Sequence, residues 1–217
     1  MPVPILFITI VAFTIWLNIM LLRGKKNDTM ATDLDNLLNE EQKANLTRRK
    51  PVPQEVFFTP CLEGLPFRDY GIYPPARPDP PAKRAQKAVR DCAAKEMIRF
   101  ETERSNIDLK KEFGAANLEL IIRGESNYEA FIRALTDWSE ALLTEGAAED
   151  AQKVLESALR NGSDLSRNYY ALTEIYTQNK DAGNLRLLLA RLESGGPGAN
   201  REKLIEKINA ALERKDR

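Results

Sequence analysis

The chain has 217 residues and balances 32 Lys plus Arg against 32 Asp plus Glu, so no global field draws it to nucleic acid or to anionic surfaces. It contains no histidine, which removes the commonest general base and the commonest metal ligand together. Its two cysteines, Cys61 and Cys92, lack metal-site spacing and read as reduced structural thiols.

Met1 to Leu22 carries no charged side chain. As a helix, Val3–Leu22 would span about 30 Å, the thickness of a bilayer's hydrocarbon core. A cleaved signal peptide would need a basic residue before the apolar run and a shorter apolar stretch, and neither is present. The expectation is an uncleaved anchor over residues 1–24. Arg23, Lys25 and Lys26 follow the span directly, so the positive-inside rule places the N-terminus outside and the rest of the chain in the cytoplasm, at the plasma membrane.

Residues 25–50 form a juxtamembrane segment. Leu34, Leu37 and Leu38 give it a narrow apolar stripe, Thr32 can cap the helix, and Asp33 and Asp35 suit its first turn. A short amphipathic helix is expected, either as a solvated stalk or docked on a neighbour.

Residues 51–81 hold nine of the chain's twelve prolines, which forbids a sustained helix or a central strand. The plain reading is a semi-rigid linker. Yet Val56, Phe57, Phe58, Leu62, Leu65, Phe67, Tyr70, Ile72 and Tyr73 are costly to leave in water. The strip should pack along the helical domain or serve as a docking strip for a partner.

Residues 82–125 supply leading helices. One is expected from Ala82 to about Ile98, with Cys92 inside it as a small apolar group. A second runs from a cap at Ser105 or Asn106 to Gly114, and a third, "ANLELIIR", ends at Gly124. Ser126 and Glu129 then have the spacing of a capping box that opens the helical domain, residues 126–217. Its first helix directs Phe131, Leu135, Trp138, Leu142 and Leu143 inward and stops at Gly146. The return helix buries Ala151, Val154, Leu155 and Ala158 and ends at Asn161-Gly162.

This pair recurs after 34 residues. Leu135, Trp138, Leu142, Ala151, Leu155 and Ala158 map onto Tyr169, Leu172, Tyr176, Leu185, Leu189 and Leu192. The pattern resembles the tetratricopeptide repeat, two antiparallel helices per unit. "A-x-x-x-L-x-x-A" at Ala151, Leu155 and Ala158 fits that family, whereas Leu185 and Leu192 depart from it. Ser139 and Thr173 stand where it prefers glycine. "REKLIEKINAALERK" supplies a charged closing helix with Leu204, Ile205, Ile208, Ala211 and Leu212 on one face.

The run from "SNIDLKKEFGAANLELI" through "NYEAFIRALTDWSEALLTEGAAEDAQKVLESALRNGSDLSRNYYALTEIY" is similar to a family of single-pass membrane proteins of Firmicutes. The shared parts are the anchor, an "RRK" to "LPF" connecting region and a cytoplasmic tetratricopeptide-like domain. The resemblance implies an all-α architecture: an N-terminal transmembrane helix, a Pro-rich linker, helical-hairpin repeats and a C-terminal capping helix.

The tetratricopeptide resemblance also implies a groove for an extended peptide, lined by the first helix of each unit. Its residues here would be Arg133, Thr136, Glu140 and Thr144, then Arg167, Tyr170, Glu174 and Gln178. Arg133 and Arg167 are repeat equivalents, as are Glu140 and Glu174, so these charges could read a peptide backbone or its carboxylate. A solvated face of ion pairs within each helix is the alternative.

No constellation for catalysis is visible. "SGGPGAN" at 194–200 lacks the lysine and preceding strand of a phosphate loop, and charge from Ser126 onward is near balance, unlike a nucleic-acid footprint. No enzyme activity, cofactor, metal, small-molecule substrate or nucleic-acid partner is expected. The sequence points to a membrane-tethered adaptor for an unknown protein or peptide. The alternative is a non-catalytic structural subunit of a larger membrane complex, with the anchor and the strip at 56–73 as its interfaces.

Overall fold

A computed structural model describes residues 33–71, 79–198 and 200–213, so the expected membrane span and the cap at Thr32 lie outside the described residues. The described chain is all-α apart from one ribbon of two very short strands. Among the described residues no helix is long and apolar enough to cross a membrane. The chain divides into two compact units, Met1–Val52 with Glu101–Leu120 and Pro53–Phe100 with Ile121–Arg217.

In the first unit, helix α1 (33–45) lies against helix α3 (Asn106–Phe113). Lys111 pairs with Glu40, Lys110 reaches Glu41 at 2.8 Å, and Ala44 is fully buried. The juxtamembrane helix is thus docked through its polar face and Ala44, while Leu34, Leu37 and Leu38 stay about half exposed. Ser105 caps α3 by accepting from the amide of Asp108. Gly114, at φ 84°, ends it, and a Cβ there would lie 2.8 Å from the Arg49 backbone. That close approach lets Asn117 clasp the chain: Arg49 Nε donates to its Oδ1, and its Nδ2 donates to the carbonyls of Lys50 and Phe113.

The second unit contains β1 (Phe57–Phe58), α2 (Pro81–Ala93), β2 (Met97–Ile98), most of α4 (Leu118–Thr144), and α5 (Ala148–Arg160), α6 (Ser166–Gln178), α7 (Ala182–Ser194) and α8 (Arg201–Glu213). Several sequence expectations fail here, and the simplest is Leu143, which was expected inside and is exposed. Helix α2 ends at Ala93 rather than near Ile98, because Met97 and Ile98 pair antiparallel with Phe58 and Phe57 and are buried. Nor does α4 break at Gly124, and Ser126 and Glu129 do not cap a helix start, since α4 runs through them without interruption. Gly124 is there for close approach: a Cβ would sit 2.7 Å from Cγ1 of Ile98. The missing side chain lets β2 lie directly on the helix.

The ends of α4, α5 and α6 are closed alike. The amides of Ala147, Ser163 and Asp181 bond to the carbonyls of Leu142, Ala158 and Tyr176, each five residues back. Gly146 and Gly162 take the left-handed conformation this needs, and Lys180, 34 residues after Gly146, takes it at φ 55° without being glycine. Of the twelve apolar positions related by the 34-residue shift, all are buried except the partly buried Leu189. Where glycine was expected, the hydroxyls of Ser139 and Thr173 donate to the carbonyls of Thr136 and Tyr169 in their own helix. This satisfies them inside the helix contact.

The Pro-rich strip is part of this unit's core. Phe58, Leu62, Leu65, Phe67 and Tyr70 pack against a cluster that includes Trp138, Phe131 and Leu142. Phe67 stacks on Trp138 at 5.2 Å, with the Arg90 guanidinium 4.5 Å over its ring. Phe58 meets Tyr128 edge-on at 4.9 Å. Prolines do not interfere, because beyond the short pairing of β1 the strip meets its backbone groups with side chains and local turns. The Cys61 amide donates to Asn161 Oδ1, and Asn161 Nδ2 donates back to the Cys61 carbonyl. Gln86 brackets Arg68 in the same two-way manner. Both cysteines are free thiols, Cys61 exposed and Cys92 partly buried.

Candidate protein-binding face

Helices α4 and α6 carry the eight residues expected to line a groove, and Asp137 of α4 and Lys207 of α8 join them. Glu140 of α4 pairs with Arg167 of α6 at 3.1 Å, and Asp137 lies 3.9 Å from the same guanidinium. One step along, Lys207 of α8 pairs with Glu174 at 2.9 Å and lies 5.1 Å over the Tyr170 ring. Glu140, Arg167, Tyr170 and Glu174 therefore belong to one polar band that crosses three helices. The like-charged equivalents do not stand as open rows, because each acid is met by a base from the next helix.

The other four residues behave differently. Arg133 is exposed and pairs along its own helix with Glu129 at 2.7 Å. Thr136 is buried, and its hydroxyl donates to the Ile132 carbonyl, so it lines nothing. The period of the first helix places it beside Arg133 and Glu140, but the turn of α4 on which it sits faces the interior. Thr144 is exposed with its hydroxyl turned back to the Glu140 carbonyl, and Gln178 is exposed at the end of α6.

Asp137 and Lys207 are the residues the sequence reading missed. Shifting the groove positions of α6 by 34 residues lands on Arg201, Leu204, Ile208 and Leu212, so the repeat by itself does not lead to Lys207, which falls on the buried Thr173. From sequence alone the closing helix reads only as a shield for the last hairpin.

Two cavities lie elsewhere on the second unit, and none of the eight expected residues lines either. One, of about 440 Å³, is bounded by Leu159 and Glu156 of α5, Leu172 and Tyr176 of α6, and Leu187 and Leu188 of α7. Burial pushes the Tyr176 phenol well above its ordinary range, and its hydrogen bond to Glu156 at 3.0 Å adds to the effect. The second, of about 430 Å³, is framed by Arg99, the Gly162–Asp164 turn, Tyr169, and Arg191 with Gly195-Gly196. Behind it, burial raises the pKa of Tyr128, while Arg99 works against the shift and Asp164 adds to it.

Among the described residues no group of His, Cys, Asp and Glu is gathered that could hold a metal ion. No protein-family model, no curated protein and no solved structure matches this chain.

Proposed function

We propose that this chain is a membrane-tethered adaptor, held in the plasma membrane by residues 1–24, with a cytoplasmic tetratricopeptide-like domain that captures a protein or peptide. The observation that carries this reading is the polar band across α4, α6 and α8. Its side chains are exposed yet fixed against one another by Glu140–Arg167 and Lys207–Glu174, so a bound chain would meet an ordered surface. The 34-residue recurrence of the helix ends at Gly146 and Lys180 supports the repeat assignment. Helix α8, with only Leu204 and Ile208 fully inside, suits a capping helix. A tether raises the local concentration of whatever the face holds, so a small site suffices.

The structural-subunit alternative relied on the strip at 56–73 as an interface. Among the described residues of that strip, Phe58, Leu62, Leu65, Phe67 and Tyr70 are packed on the chain's own core, which favours the adaptor reading.

The test is photocrosslinking in membranes from Gln178 and Arg133, comparing the parent chain with Arg167→Glu. The exposed pairs of Arg167 contribute at most about 1 kcal/mol to stability, so the variant should stay folded. Loss of a specific crosslinked partner supports the adaptor reading. An unchanged crosslink pattern with a folded variant removes the face from consideration.

A further inference from the structure

The second cavity has an unusual charge arrangement. Arg99 enters from the segment after β2, and Arg191 from the last turns of α7. Among the described residues, neither guanidinium has a carboxylate within ion-pair distance, whereas Arg133 and Arg167 of the α4–α6 face each have one. Arg191 uses one nitrogen to donate to the Leu159 carbonyl, and its remaining donors are uncommitted. Arg99 is held flat by packing. Its guanidinium lies 5.4 Å over Tyr128, and a Cβ on Gly162 would come within 2.4 Å of its Nη1. Gly162, already at φ 89° to end α5, thus also leaves the space in which Arg99 lies.

Asp164 is the one acid on the wall of this cleft, so its walls carry two positive charges and one negative. The surplus of one matches a single carboxylate and is less suited to a dianion, which Asp164 would repel. Two planar forks around one space also suit carboxylate geometry.

Arg191 lines the neighbouring cavity as well, whose walls are mainly Leu159, Leu172, Tyr176, Leu187 and Leu188, with Glu156 and Asn184 beside them and Glu156 engaged by the Tyr176 hydroxyl. Leu187 is 69% exposed at its edge. The geometry points to a bipartite peptide site at the ends of α5 and α7, in which Arg99 and Arg191 take an Asp or Glu side chain and the adjoining cavity takes an apolar side chain next to it in sequence. The occupant is an extended segment of a partner protein, because a net-positive cleft and a mainly apolar cavity that share Arg191 and Ser194 call for an acidic and an apolar side chain in succession. None of these residues belongs to the band on α4, α6 and α8, so this site stands or falls independently of that face.

The experiment uses the full chain in nanodiscs and a fluorescent, N-acetylated, C-amidated Gly/Ser peptide carrying one Glu-Leu-Leu, read by anisotropy. Replacing Glu by Gln in the probe, or Arg99 and Arg191 by Gln in the protein, should weaken binding roughly tenfold or more. Leu187→Ser should weaken the Leu-containing probe alone. It alters an exposed side chain, so folding is not at issue, and helicity by circular dichroism checks the arginine variants. Arg167→Glu should change nothing. Binding that is indifferent to the probe carboxylate or to Leu187, or absent altogether at millimolar peptide, overturns the proposal. So does millimolar inorganic phosphate that displaces the probe from the parent chain whether or not the probe carries leucine, because the cleft would then be a plain phosphate site.

Discussion

Phe67→Ala tests whether the Pro-rich strip is a structural part of the helical unit. Phe67 is partly buried, stacked on Trp138 and covered by the Arg90 guanidinium. A fully buried Phe→Ala costs about 3–5 kcal/mol, and partial exposure brings the packing loss nearer ~2 kcal/mol. The aromatic pair adds about 0.5–1.5 kcal/mol and the cation above the ring about 0.5–1 kcal/mol. Part of this overlaps the burial term, so a total of roughly 3 kcal/mol is expected. Trp138 is fully buried with its indole N–H unpartnered, so its emission should redden as water reaches it. The chain's other tryptophan is Trp16, so the assay is urea unfolding in a Trp16→Phe background, followed by Trp138 fluorescence. Phe67→Leu should retain about half of the lost stability through volume alone. An unfolding free energy within about 0.3 kcal/mol of the parent, with Trp138 emission unmoved, would refute the packed strip and restore the reading of 51–81 as a free linker.

Gly124→Ala reverses the usual rule. In an ordinary helix interior the change stabilises by about 1 kcal/mol, but here the new methyl meets Ile98, and thermal unfolding should show a loss of about 1–3 kcal/mol that Ile98→Ala relieves. Asn161→Ala removes both bonds to Cys61 and the bond to the Ser157 carbonyl, at a cost of about 1–3 kcal/mol, with faster hydrogen exchange at the Cys61 amide as the readout. In the first unit, Lys111 holds the Glu40 carboxyl below its ordinary value by a hydrogen bond, and Ser105 does the same for Asp108. A depressed folded pKa means the contribution is complete above the ordinary carboxylate range and is lost as pH falls through the lowered values. Amide exchange in α1 should therefore accelerate relative to the second unit on acidification below about pH 4.5, and Glu40→Gln should flatten that response.

Much of the helical framework is legible in the sequence. Gly146 and Asn161-Gly162 end helices where the periodicity stops, because a left-handed closing residue is a local requirement. The 34-residue shift found the buried positions from Leu135 to Leu192, because a repeated amphipathic period marks the same inner face twice. Gly124 shows where local reading stops. Its sequence context is that of a helix end, and only the strand lying across it reveals that the missing side chain makes room for Ile98.

The candidate sites divide along the same line. Position along a helix placed Arg133, Glu140, Arg167 and Glu174 on exposed turns, since exposure follows the helical period. It could not show that Thr136 points inward or that Lys207 neutralises Glu174, because those depend on which helix arrives from outside the local turn.

Composition and spacing by themselves determined the all-α class, the 34-residue unit and the apolar character of the strip, all of which are properties of neighbours along the chain. Only the tertiary structure decided that the strip closes over Trp138, that α1 docks through its acids rather than its leucines, and that Arg99 and Arg191 share one cleft. These last are contacts between residues tens of positions apart, and pairwise packing at that range leaves no periodic trace in the sequence.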